Sequence, residues 1–128
     1  MAGRHAISQS ERRAEVQVVT KAVVKAASIL DISNTSLGRV LGVSDATVSR
    51  MRAGDWTLTA DTKPYELSVL FLRLFRGLDA IVGGDAASAR SWLRSHNTAL
   101  NDVPFTLIQT VSGLMQAVQY VDARRARI

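Results

Sequence analysis

The sequence predicts an all-α protein, a helix-turn-helix half followed by a small helical half. Three observations carry that expectation. Asn34 to Ala53, NTSLGRVLGVSDATVSRMRA, reads as two short helices around a glycine turn. Apolar residues recur at helical steps from Val16 to Leu30 and from Leu67 to Val82, and no stretch shows the period-two alternation of a strand. Pro64, Gly83-Gly84 and Pro104 stand where helices start or stop.

In order along the chain, residues 1–9 (MAGRHAISQ) are small, polar and basic, and are expected to form a flexible arm. A helix is expected from Ser10, with Ser10 and Glu11 giving a capped, acidic start and Val16, Val19, Val23, Ala26 and Leu30 its buried stripe. In the next segment Leu37, Leu41, Val43, Val48 and Met51 fall where two crossing helices bury one shared face. Gly42 reverses the chain, because glycine takes positive φ without a Cβ penalty. Gly38 is small where the helices cross. Ser44 offers an N-cap hydroxyl for a helix starting at Asp45.

After the polar connection DWTLTADTKP, Pro64 opens the most apolar helix. Leu67, Leu70, Phe71, Leu74, Leu78 and Ile81 form its stripe, widened by Val69, Leu72, Phe75 and Val82, with Arg73 and Arg76 on the polar side. So wide a surface is either central in the fold or shared with a second subunit. The expectation drawn from it is a homodimer joined through Tyr65 to Val82. Gly83-Gly84 ends this helix, and Asp85 is placed to cap a short one through Ala89, Trp92 and Leu93. Pro104 opens another short helix, PFTLIQ. Ser112 is placed to cap the last, with Leu114, Val118 and Val121 inward. Trp92 and Phe105 are expected to be core anchors.

The register leaves Asp45, Ala46, Ser49 and Arg50 outward on the second motif helix, with Thr47 beside them and Ser44 at its start. Arg50 then faces a DNA major groove, where arginine reads guanine O6 and N7 in bidentate fashion. Asp45 serves either the positive helix end or a cytosine amine. Asn34 and Thr35 open the first helix and can present polar groups to phosphate. Arg52 is either a further DNA contact or an ordinary solvated charge. Ser36 has only a capping role.

Composition agrees with a polyanion partner. The chain has 128 residues, a formal charge of +5, 47% hydrophobic residues and no cysteine, with a pI near 10.4. The positive balance favours phosphate. Without cysteine there is no disulfide or thiolate metal site, which fits a reducing cytoplasm. No run approaches the roughly 18 apolar residues of a membrane span, and Met1 to Ser10 lacks the apolar core of a signal peptide. His5 and His96 are far apart in sequence and have no partner ligands, so no metal site is expected. Gly77, Gly83 and Gly84 form no phosphate-binding pattern, and no serine sits in GxSxG or SxxK. No catalytic set and no cofactor are expected.

Two parts of the chain together resemble the Xre/MbcA/ParS antitoxin family. LGRVLGVSDATVSRMRAG resembles the Xre-type helix-turn-helix. Trp92-Leu93, Asn97, Leu100, Pro104, Leu107 and Gly113 resemble the family's C-terminal toxin-binding domain, the likeness spanning about Glu15 to Arg125. His96 stands where the family often has proline, and Asn101-Asp102 replaces a glycine pair, so the loop before Pro104 is a point of departure. With the arm read over 1–9, the resemblance implies a DNA-binding helix-turn-helix region over 10–63 and a helical dimerisation and toxin-binding region over 64–128. It implies an antitoxin that represses its own operon by binding operator DNA and neutralises a cognate toxin, commonly a RES-domain enzyme that consumes NAD. The toxin-facing role then falls on the last helix and tail, through Gly113, Arg124, Arg125, Arg127 and Ile128. The alternatives are a stand-alone helix-turn-helix repressor with a dimerisation domain, and a toxin binder whose motif has lost DNA affinity.

Overall fold

The computed structural model describes residues 8–127. Within them the chain forms α1 (Gln9–Ile29), α2 (Asn34–Leu41), α3 (Asp45–Ala53), α4 (Lys63–Ile81), α5 (Ala86–Arg94), α6 (Pro104–Leu107) and α7 (Val111–Ala126). Extended pairing among the described residues is confined to one isolated bridge, Asn97 with Asp102.

Helix starts are set by hydroxyls that reach the free amides of the first turn. In α1 this is Ser8 rather than Ser10. The Ser8 hydroxyl accepts from the Glu11 amide at 3.1 Å, and the Ser8 amide donates back to the Glu11 carboxylate at 3.3 Å. That reciprocal box begins the helix at Gln9, so residues 8 and 9 leave the expected arm. Residues 1–7 of that arm lie outside the described residues. Ser33, not Ser36, caps α2, its hydroxyl accepting from the Ser36 amide. Ser44 caps α3 as expected, accepting from the Thr47 amide at 3.1 Å. Thr62 caps α4, with Pro64 in its first turn. The Asp85 carboxylate caps no amide and instead accepts from the Ser88 hydroxyl. Thr110 caps α7 in place of Ser112, because its hydroxyl reaches the Gly113 amide at 3.1 Å. The helix therefore begins at Val111.

Gly42 ends α2 in the left-handed conformation, φ 74, and lets the chain turn into α3. Gly38 is needed for a different contact from the one expected. A Cβ there would lie 2.6 Å from the Val43 carbonyl oxygen, so the turn backbone itself occupies the space. The shared face is as the register implies: Leu37, Leu41 and Val48 are fully buried, Met51 nearly so and Val43 partly.

α4 is the centre of the molecule. It lies along α7 and against α1 and α2, and Phe71, Leu74 and Leu78 have no exposed surface. Gly77 admits α7 closely, since a Cβ there would collide with the Val121 side chain. A single buried cluster runs from Val23 and Leu30 of α1 through Leu37, Val48 and Leu74 to Leu93, Ile108, Leu114 and Val118. Much of the wide stripe is therefore covered within one chain, while Val69 stays 43% exposed and Leu67, Leu70, Phe75, Ile81 and Val82 are only partly buried. The central part of its width is accounted for by α1, α2 and α7, which supply the burial of Phe71, Leu74 and Leu78.

Two polar ties fix the edges of this core. The Thr20 hydroxyl donates to Val16 O at 2.7 Å and accepts from the Leu58 amide at 3.0 Å, holding the loop after α3 onto α1. The Tyr65 hydroxyl donates to Glu15 at 2.9 Å and joins the start of α4 to α1. Burial first, and then that hydrogen bond, raise the Tyr65 pKa above its ordinary value, so the phenol remains a donor.

Gly38→Ala is expected to destabilise the protein by about 1–3 kcal/mol, because the turn has no side chain that can yield. Urea denaturation checks this, and an unchanged midpoint would show that the α2–α3 turn tolerates a Cβ.

Candidate nucleic-acid interface and partner-docking surface

On α3 the inward side chains are Val48 and Met51. That register turns Ala46, Ser49 and Arg50 to solvent, with Ser44 and Asp45 exposed beside them and Thr47 half-buried. Arg50 forms no ion pair with a described residue. At the start of α2, Thr35 is exposed and Asn34 half-buried. The two helix starts are joined directly: the Thr35 hydroxyl donates to the Asp45 carboxylate at 2.6 Å. One oxygen of Asp45 thus links α2 to α3. This adds a third role to the two expected, and sets Thr35 and Asp45 side by side.

Arg52 points elsewhere. Its Nη2 donates to Ile32 O at 2.7 Å and its Nη1 to the Ser28 hydroxyl at 3.2 Å, while its Nε is buried without a partner. The guanidinium is committed to the turn between α1 and α2, so neither a base contact nor a solvated charge describes it. The side chain points away from Arg50 because two residues span about 200° of helix rotation.

The second surface lies on α5 and α7. Trp92 is only partly buried, and its ring stacks on Tyr120 with centroids 6.4 Å apart. The Arg124 guanidinium lies 5.8 Å from the Tyr120 ring centroid and donates to its hydroxyl at 2.8 Å. Trp92, Tyr120 and Arg124 thus form a surface ladder, with Trp92 packed on the edge of the core as well as facing outward. Phe105 is also only partly buried, with the Arg94 guanidinium 4.9 Å over its ring. Sequence reasoning missed the ladder because no local pattern pairs Trp92 with Tyr120.

Along the outer face of α7, Val111 is 64% and Met115 37% exposed. Gln116 and Gln119 lie beside them, and the row carries no charge as far as Asp122. The single acid of α7, Asp122, pairs with Arg73 of α4 at 2.6 Å. Arg124, Arg125 and Arg127 are exposed. Gly113 is buried, and a Cβ there would strike Leu107 O, so it is needed for the α6–α7 corner and is not free to touch a partner. Ile128 lies outside the described residues.

The loop before Pro104 is closed by its own polar groups. The Asn97 carboxamide oxygen accepts from the Leu100 amide at 3.0 Å, and the Asn97 amide donates to Asp102 O at 2.9 Å. Asn101 takes φ 57, the left-handed conformation that asparagine tolerates best after glycine. Among the described residues, no three His, Cys, Asp or Glu gather as metal ligands, and no helix is long and apolar enough to cross a membrane.

Residues 9–73 match the antitoxin Xre-like helix-turn-helix domain. Residues 77–127 match the antitoxin Xre/MbcA/ParS C-terminal toxin-binding domain. The chain belongs to the Xre/MbcA/ParS antitoxin family. It is a type of antitoxin built from a DNA-binding motif and a toxin-binding domain, in that order. Both matches end or begin inside α4, at 73 and 77, so this antitoxin uses one helix for both parts. A search of curated proteins finds no match to the chain.

Proposed function

We propose that this antitoxin reads its own operator through α2 and α3 and neutralises a toxin through α7 and the tail, acting in the cytoplasm without catalysis of its own. The observation that carries this reading is the separation of the two surfaces. α3 packs on α1 and α2, whereas α7 packs on α4 and α6. Occupying one surface therefore leaves the side chains of the other uncovered.

On the DNA side, Arg50 is the base reader, with Ser49, Ala46 and Thr47 lining the groove. Asn34, Thr35 and Ser44 face phosphate, and Asp45 orients Thr35. A homodimer would set two α3 helices on half-sites about one helical turn apart. The chain divides for this purpose into a DNA-reading region over 10–63 and a toxin-facing region over 64–128.

On the toxin side, the Val111, Met115, Gln116 and Gln119 row of α7 and the Trp92, Tyr120 and Arg124 ladder have the composition of interface centres, which are depleted in Lys and Glu and rich in aromatic residues, Met and Arg. Arg125 and Arg127 extend that surface toward the toxin's active-site entrance, and the family resemblance assigns Ile128 to the same role. The family resemblance supports a RES-type, NAD-consuming enzyme as the toxin.

Arg50→Ala should weaken binding to the protein's own promoter fragment by about 1–3 kcal/mol and relax sequence preference. Equal affinity of the variant and the wild type in a fluorescence-anisotropy titration would remove Arg50 from the groove.

Truncation after Val121 keeps the buried face of α7 and removes its exposed end. The shortened protein should fold and bind DNA but fail to rescue growth from the toxin encoded beside it. Full rescue would reject the tail as the inhibitory element, and absence of any toxin gene there would favour a stand-alone repressor.

A further inference from the structure

The turn between α1 and α2 is held by three arginines drawn from both halves of the protein. Arg90 Nη1 donates to Ile29 O at 3.0 Å. Arg94 Nη1 and Nη2 donate to Leu30 O at 2.8 Å and Asp31 O at 2.6 Å. Arg52 Nη2 takes Ile32 O at 2.7 Å. Four consecutive carbonyls are thus engaged, two of the three arginines coming from α5 and one from α3.

A helix C-terminus presents unpaired carbonyls and the negative end of its dipole, which cations satisfy. α1 has no basic residue in its own last turn. The cations that serve this end come from other helices. Between the buried Leu30 and Ile32, Asp31 adopts φ 55, a left-handed conformation that an L residue holds only when its surroundings fix it. Arg94 is itself fixed from the other side, lying over the Phe105 ring of α6. Its planar fork is pre-organised to span two carbonyls, whereas a lysine ammonium is a flexible, more strongly hydrated point charge.

What this turn controls is the DNA surface. Ser33, which caps α2, follows Ile32 directly, and Asn34 and Thr35 come next. α3 is tied to the same turn through Arg52 and to α2 through Thr35 and Asp45. We infer that Arg90 and Arg94, in the toxin-binding half, are positioning residues for DNA recognition, acting through the α1–α2 turn. The inference rests on the proposed reading of operator DNA by α2 and α3. Neither arginine needs to touch DNA, so its removal deletes no phosphate contact.

The test uses the full chain and two duplexes, the protein's own promoter fragment and a scrambled sequence of equal length, titrated by fluorescence anisotropy over a salt series. Arg90→Met with Arg94→Met should lower promoter affinity about tenfold, the size of one lost base contact. Affinity for the scrambled duplex should change by less than about twofold, with the salt slope unchanged because no phosphate contact is lost. Arg94→Lys alone should shift the promoter-to-scrambled ratio in the same direction, although the charge is kept. Arg76→Met, which removes an exposed α4 charge, should leave that ratio at the wild-type value.

Wild-type discrimination by the double variant overturns the inference. So does an equal loss on both duplexes, which is what a lost charge or a partly unfolded population produces, and so does full retention by Arg94→Lys. If the double variant fails to melt cooperatively, the Arg94→Lys ratio decides alone. A wild-type protein that does not distinguish the duplexes defeats the DNA-reading proposal itself, and this inference with it.

Discussion

Phe71, Leu74 and Leu78 sit on one helix, and the burial of those three side chains is shared by structures that do different work. α1 and α2 cover α4 from the side of the DNA-reading motif, while α7 covers it from the side of the toxin-binding domain. Burying a large apolar side chain contributes about 1.5–3 kcal/mol, a sizeable part of the roughly 5–15 kcal/mol by which domains are stable. The close approach at Gly77 and Val121 makes the dependence geometric as well as energetic. Two family segments that meet inside α4, at 73 and 77, are therefore parts of one folding unit.

This arrangement accounts for how the antitoxin can present two surfaces on a small chain. The motif supplies a short helix, α3, which is too small to be stable alone in water and takes its orientation from what it packs on. α7 takes its orientation from α4 and from the tight corner at Gly113. The polar ties include arginine guanidiniums on the carbonyls of the α1–α2 turn, the Arg73–Asp122 pair between α4 and α7, and the Thr35 and Tyr65 hydroxyls on the Asp45 and Glu15 carboxylates. Such charge-assisted bonds are directional, so they fix angles where apolar contact fixes only proximity.

The parts legible in the sequence were those whose determinants are local. Gly42, Ser44 and the Leu37 to Met51 register lie within a few residues of what they control, and α2 and α3 formed where they were expected. The same holds for Pro64 at the start of α4 and for Gly83-Gly84, which end it with positive φ. Caps were less legible where two hydroxyls compete. Ser8 and Thr110 cap in preference to Ser10 and Ser112 because their oxygens reach the right amide, a distinction of two residues that composition does not carry. The roles of Arg52 and Trp92 were illegible for a different reason. Their partners, Ile32 and Ser28 for the one and Tyr120 for the other, are brought near only by the finished fold. The breadth of the α4 stripe was visible, but whether a neighbour in the same chain or a second chain covers it depends on where α7 returns.

Native-state hydrogen exchange, read together on the amides of Leu41, Leu74 and Val118, tests most directly the claim that one core carries both surfaces. One core predicts the same opening free energy at all three, and Leu74→Ala should lower all three equally, by about 2–5 kcal/mol. Exchange of the Val118 amide through an opening that leaves Leu41 protected, or a Leu74→Ala effect confined to one half, would show two independent units and contradict the account.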